Sequence, residues 1–156
     1  MVSITRNTSE VTTDAEVAAI AFKALSDPRR IGVLRLLLEV PDTLCGCEIS
    51  DVLGLADYQV SRALSRLKAA GLVREKARTG TWIHYEAARD AGQVTARLLD
   101  LVATLPLSSD EAERLSLRYG LREQAGCVLG AQHPSVLEAF ETRGLPTSLP
   151  VLTAEG

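Results

Sequence analysis

Apolar positions Val17, Ile20, Ala21, Ala24 and Leu25 recur with helical spacing behind Thr13 and Asp14, either of which can cap a helix. Asp27 and Pro28 open a second helix, whose stripe of Ile31, Leu34, Leu37 and Leu38 runs to about Glu39. After a break at Pro41 and Asp42, a short amphipathic segment over 47–53 ends at Gly54. Asp57 then starts a helix with Val60, Ala63, Leu64 and Leu67 inward, and with Tyr58, Gln59, Arg62, Ser65 and Arg66 outward, until Gly71 stops it. The runs 72–77 and 81–87 alternate and are rich in β-branched and aromatic residues; joined by Arg78, Thr79 and Gly80, they predict a β-hairpin. Over 93–104 a further helix carries Val94, Leu98, Leu101 and Val102, with Leu105 beyond, on one broad face, more apolar surface than a small domain covers alone. Beyond Pro106 the pattern weakens. Ser108 and Glu111 have capping-box spacing ahead of Leu115, Tyr119 and Leu121, with Gly120 as an interruption, and a short helix starts near Pro134 and ends before Gly144.

Two helices separated by the turn at 54–57, the second basic on its outer side and followed at once by a basic-tipped hairpin, predict a winged helix-turn-helix. The fold class is mainly α with a small β-hairpin. The chain divides into a flexible N-terminus (1–13), a winged DNA-binding and dimerisation domain (14–105), a helical extension carrying Cys127 (106–145) and a mobile tail (146–156). A helix fits the major groove of DNA, where Gln, Ser and Arg meet base edges, and a hairpin tip with Lys76, Arg78 and Gly80 lies along phosphate or the minor groove.

Charge supports this only because of its distribution. The 156 residues carry a net charge of −3, yet Arg62, Arg66, Lys68, Arg74, Lys76, Arg78 and Arg89 face only Glu75 and Glu86 between residues 58 and 89. The plain alternative is a salt-bridged surface. No membrane-spanning apolar run is present, since Arg35 cuts even 31–38, and residues 1–10 lack the apolar centre of a secretory signal. A cytoplasmic location follows as the expectation, with the three cysteines as thiols.

Cys45 and Cys47 flank Gly46 where the short helix before the recognition helix begins. Free backbone N–H groups there favour thiolate, the form that binds soft metals and metalloids. Residues two apart on a finished helix point about 200° away from each other, so both sulfurs reach one atom only if this turn is extended or unwinds. Packing as small hydrophobes is the alternative for both, and for Cys127 beside Val128 and Leu129. Structural zinc wants further Cys or His ligands, and His84 and His133 are the chain's histidines. A phosphatase-like loop fails because Asp51, Leu53 and His133, not arginine, stand six residues beyond the cysteines. No other catalytic motif stands out, and the chain is not read as an enzyme.

Over about 18–104 the sequence resembles the arsenic-responsive ArsR/SmtB bacterial repressors. The resemblance is carried by Ala24-Leu25-Ser26-Asp27-Pro28-Arg29-Arg30, Val60-Ser61-Arg62-Ala63-Leu64, Leu67-Lys68-Ala69-Ala70-Gly71-Leu72-Val73 and Gly80-Thr81-Trp82-Ile83-His84-Tyr85. It implies a homodimer, held by the first and last helices of the winged domain, that releases a two-fold symmetric double-stranded operator when an effector binds. The DNA-contacting set is then Tyr58, Gln59, Ser61, Arg62, Ser65 and Arg66 on the recognition helix, with Lys76, Arg78, Thr79 and His84 on the wing. The family often has Ser or Gln before the recognition helix and His at the place of Ala63, so Ala56, Asp57 and Ala63 are departures that bear on base preference. Leu44-Cys45-Gly46-Cys47-Glu48-Ile49 resembles the family's Leu-Cys-x-Cys-Asp-Leu sensor segment. Ser50 stands where several members have a third cysteine, leaving Cys127, of the same or the partner subunit, as the third donor for trivalent arsenic or antimony. A thiol redox switch on the same cysteines is the alternative.

Overall fold

The computed structural model describes residues 12–122, 127 and 129–147. In chain order these form α1 (Asp14–Ala24), α2 (Pro28–Glu39), β1 (Leu44–Cys45), α3 (Gly46–Leu53), α4 (Asp57–Ala69), β2 (Val73–Thr79), β3 (Trp82–Ala87), α5 (Gln93–Ala103), α6 (Ser109–Gly120) and α7 (Pro134–Thr142). Local chemistry sets the starts. Thr13 Oγ1 accepts the Glu16 N–H at 3.2 Å while the Glu16 carboxylate accepts the Thr13 N–H at 2.7 Å. Ser108 and Glu111 make the same reciprocal pair at 3.1 and 2.8 Å, and Asp27 accepts the Arg29 N–H at 2.8 Å with Pro28 at the first helical position. Each cap stabilises its helix by about 1 kcal/mol. Gly54, at φ 65°, ends α3 in the left-handed conformation that lets the chain turn into α4.

α2 lies at the centre: Val33, Leu34, Leu36 and Leu37 are buried against Ile49 and Val52 of α3, Val60, Leu64 and Leu67 of α4, and Leu99 and Val102 of α5. Leu115 of α6 joins this same cluster. Val136, Phe140 and Leu145, with Leu117, Leu121 and Leu129 packed against them, form a smaller core that seats α7 on α6. The fold is a mainly helical winged helix-turn-helix with a small antiparallel sheet of order β1-β3-β2.

The structure departs from the sequence reading in three places. Leu44 and Cys45 pair with Tyr85 and His84, adding a strand that two residues cannot announce through a period of two. Thr79 pairs with Trp82, so Gly80 and Thr81 make the turn, and Arg78 and Thr79 belong to β2. Past Val73, β2 is exposed on both faces, and a register shift between Glu75 and Ala77 places Lys76 in a bulge. The apolar face expected on α5 is divided: Thr95, Leu99 and Val102 are buried within the chain and Leu98 is half-buried, whereas Leu101 and Leu105 are exposed. α1 packs beside α5 and leaves Ile20 and Phe22 exposed. Among the described residues no helix is long and apolar enough to cross a membrane.

Candidate functional site

Tyr58, Gln59, Arg62, Ser65 and Arg66 of α4 line one wall of a cleft of about 650 Å³, and Arg29 and Arg30 at the start of α2 line the other. The Arg62 guanidinium sits over the Tyr58 ring, 5.5 Å from its centre, an arrangement that steadies an exposed cation. Gln59 is partly committed elsewhere: its Oε1 accepts the Ala56 N–H at 2.9 Å, making up for a cap residue with no polar side chain. Ser61 lies on a different side of α4, in a groove shared with Cys47 and with Thr81, Trp82 and Ile83 of the wing.

The basic block is a mixture of solvated pairs and free cations. Lys68 pairs with Glu75 at 2.9 Å, Arg74 with Glu86 at 2.7 Å and Asp90 at 2.5 Å, and Lys76 with Glu86 at 3.6 Å. Among the described residues Arg62, Arg66 and Arg78 make no ion pair, which leaves their charge available to phosphate or bases. Thr79 is half-buried in β2. His84 must be moved from the expected contact surface: it is 5% exposed, its Nδ1 lies 3.5 Å from Thr43 Oγ1, and its Nε2 has no partner among the described residues. As a member of the middle strand opposite Cys45, it points into the protein rather than along the wing.

The three cysteines come together within one chain. Their sulfurs all lie within 4.8 Å of one another, and Cys47 Sγ is 3.3 Å from Cys127 Sγ. The geometrical objection to Cys45 and Cys47 acting together does not arise. Cys45 is the extended residue before α3, at φ −86° and ψ 162°, so only Cys47 is on the helix and no unwinding is needed to bring the sulfurs together. Cys45 and Cys127 are buried and Cys47 is partly open.

The charge of the cluster concentrates on Cys127. Hydrogen bonds from Cys45 and Cys47, and then the nearby Arg118, pull its thiol far below the ordinary value. The same hydrogen bonding to Cys127 pushes Cys47 up to about 12 and Cys45 higher still, with burial adding to both. Two thiols and one thiolate in a partly buried pocket make a strong soft-ligand set.

Two buried acid–arginine pairs surround the cluster and tie α3 to α6 and to Arg122 just beyond it. Arg118 Nε donates to Asp51 Oδ2 at 2.8 Å, while its Nη2 donates to the Leu129 carbonyl at 2.6 Å and lies 3.6 Å from Cys127 Sγ. Burial pushes the guanidinium down, but the Cys127 and Asp51 charges outweigh it and hold it above its ordinary value. Arg122 donates to both oxygens of the fully buried Glu48 at 2.6 and 2.7 Å, and Glu48 also accepts the Cys45 N–H at 2.9 Å. Sequence reasoning missed all four residues, although Glu48 three positions after Cys45 carried the spacing of a reciprocal cap.

The model of the family described as "Bacterial regulatory protein, arsR family" matches residues 27–75. The chain is 38% identical over 85 residues to the HTH-type transcriptional regulator MJ1325 of Methanocaldococcus jannaschii, covering 54% of this chain and 93% of that one. It is 34% identical over 108 residues to the arsenic resistance transcriptional regulator ArsR1 of Pseudomonas putida, covering 68% and 82% respectively. The solved structure of the AntR antimony-specific transcriptional repressor aligns with a TM-score of 0.46 at 26% identity, over 65% of this chain and 88% of that one. With this likeness over a winged helix-turn-helix, the chain belongs to the arsR family of transcriptional repressors, DNA-binding regulators and not enzymes.

Proposed function

We propose that the protein represses transcription as a homodimer on a two-fold symmetric operator and leaves the DNA when trivalent arsenic or antimony is bound by Cys45, Cys47 and Cys127. The observation that carries this reading is the gathering of three sulfurs within 4.8 Å, two from the start of α3 and one from the extension. Soft thiolates suit a soft metalloid. Arsenous acid, the Cys45 and Cys47 thiols, the Cys127 thiolate and one proton from solvent give a neutral arsenic trithiolate with loss of three waters. The decisive experiment uses DNA from upstream of the protein's own coding sequence, labelled for fluorescence anisotropy. Arsenite or antimonite is expected to dissociate the complex, and excess small dithiol to restore it. Intact complexes at arsenite concentrations that occupy the thiols would refute the reading.

One observation favours a redox reading as the runner-up: the 3.3 Å between Cys47 Sγ and Cys127 Sγ. Hydrogen peroxide, with one proton from solvent, would take the Cys47 thiol and the Cys127 thiolate to one disulfide and two waters. Release by peroxide without release by arsenite selects that reading.

In the DNA complex, α4 lies in the major groove with Arg62 and Arg66 towards base edges and Arg78 on phosphate. Arg62→Ala is expected to weaken operator binding by about 1–3 kcal/mol and relax base preference. Arg78→Ala is expected to weaken all sequences alike and reduce the salt slope by about one. Anisotropy over a salt series, on operator and scrambled DNA, separates the two.

The dimer is assigned to α1 and α5, which expose Ile20 (50%), Phe22 (58%) and Leu101 (62%). The double variant Phe22→Glu, Leu101→Glu is expected to sediment as a folded monomer without operator affinity. Leu98 is unsuited to this test because it packs on the chain's own core. Retention of the dimer by the double variant places the interface elsewhere.

A further inference from the structure

We propose that Arg118 and Asp51 form the positioning pair that carries occupancy of the thiol cluster to the DNA-binding helix, an inference that rests on the reading of the cluster as the effector site. The sulfurs are already gathered and α3 begins after Cys45, so bringing them together requires no unwinding of the first turn of α3. Another contact leads from the cluster towards the DNA-binding helix.

Arg118 supplies that contact. Its side chain is 1% exposed, and one guanidinium reaches both the sulfur that belongs to the extension and the helix that precedes the recognition helix. Asp51 completes the link from the other side. Its Oδ2 takes the Arg118 Nε–H, and its Oδ1 accepts the Gln132 N–H at 2.8 Å, holding Gln132 at φ 55°, a conformation uncommon for a residue with a side chain. Arg118 and Asp51 therefore hold Leu129 and Gln132, close to where Cys127 lies beside Cys47.

The route onward runs along α3. Ser50, next to Asp51, donates its hydroxyl to the Leu55 carbonyl at 2.5 Å in the turn that leads into α4. Displacement of Asp51 is thus felt at the start of the recognition helix, whose outer side carries Arg62 and Arg66. When all three sulfurs are bonded to arsenic, the sulfur beside Arg118 Nη2 is part of a neutral trithiolate and a poor acceptor. Among the described residues Arg118 Nη1 has no partner, so a guanidinium that loses its sulfur acceptor readjusts between Leu129 and Asp51. Arg122, just beyond α6, holds Glu48 of α3 and acts as a fixed clamp beside the moving link.

The test compares wild type with Arg118→Lys, Arg118→Met and Asp51→Asn in three measurements. Operator affinity without effector reports the fold, sulfur–arsenic ultraviolet absorption reports binding, and operator release reports coupling. Arg118→Lys keeps a cation for Asp51 but cannot reach Leu129 and Cys127 at the same time. It is expected to bind operator and one arsenite per chain, yet to need at least about tenfold more arsenite for release than for binding. Asp51→Asn, which keeps the shape, is expected to show the same separation. Release that follows binding in both variants as it does in wild type overturns the proposal.

A second arm uses no arsenic. Dibromobimane bridges two close thiols, and the Cys47–Cys127 bridge, identified by mass spectrometry, is expected to form at least about tenfold more slowly in Arg118→Met, in line with losses on removing groups that orient ligands. An unchanged bridging rate overturns the positioning role. Failure of arsenite to release wild-type protein, with bridging slowed in Arg118→Met, instead overturns the sensor reading and the coupling, and leaves Arg118 as the residue that positions Cys127.

Discussion

Replacing Cys45 and Cys47 together by serine is expected to leave operator affinity near that of wild type and to raise the arsenite needed for release by at least about a hundredfold, because hydroxyl oxygen is a hard donor and a soft metalloid keeps a single sulfur. Cys45 precedes α3 and Cys47 occupies its first turn, away from the cleft lined by Arg62 and Arg66, so the loss falls on effector binding and not on the DNA-facing residues. Cys127→Ser keeps two sulfurs and is expected to respond with reduced sensitivity. Anisotropy titrations of pre-formed complexes measure both. The sensor assignment fails if the double variant releases DNA at the wild-type arsenite concentration.

The largest expected loss of stability is at Arg122. Glu48 is fully buried, and Arg122→Ala would leave its carboxylate without the cation that contacts both oxygens, a change that costs about 3–5 kcal/mol when a buried pair loses one partner. Glu48→Gln is expected to cost less, since the amide oxygen still accepts the Cys45 N–H. Arg74 is a useful contrast: its pairs with Glu86 and Asp90 stand in solvent, and its removal is expected to change the melt little. Chemical denaturation followed by circular dichroism ranks the three. A midpoint for Arg122→Ala equal to that of Arg74→Ala would contradict the clamp.

Much of this architecture was legible because local rules and tertiary packing agree. Thr13 or Asp14, Asp27 before Pro28, Ser108 with Glu111 and Gly54 each announce a helix end through chemistry that involves only a few neighbouring residues. The clasp around the thiols was not legible for the opposite reason. In a short amphipathic helix, charged positions such as Glu48 and Asp51 read as the wet side, and the arginines that allow their burial are 74 and 67 residues away. Cys127 was reached only by elimination of other donors, since its neighbourhood has no periodic pattern to place it. His84 misled because an alternating strand predicts which residues share a face, not which face β1 covers.

The distance in sequence between α3 and its arginines also shapes how the protein is made. The chain emerges from synthesis with Glu48 and Asp51 long before Arg118 and Arg122, so a nascent winged domain holds two carboxylates whose native burial lacks a counter-charge. The full pairing of α3 therefore waits for residues 118–122. A ribosome-stalled chain that ends before residue 109 is thus expected to hold α3 less firmly than the full chain, so that firm DNA binding and the sensing apparatus arrive together.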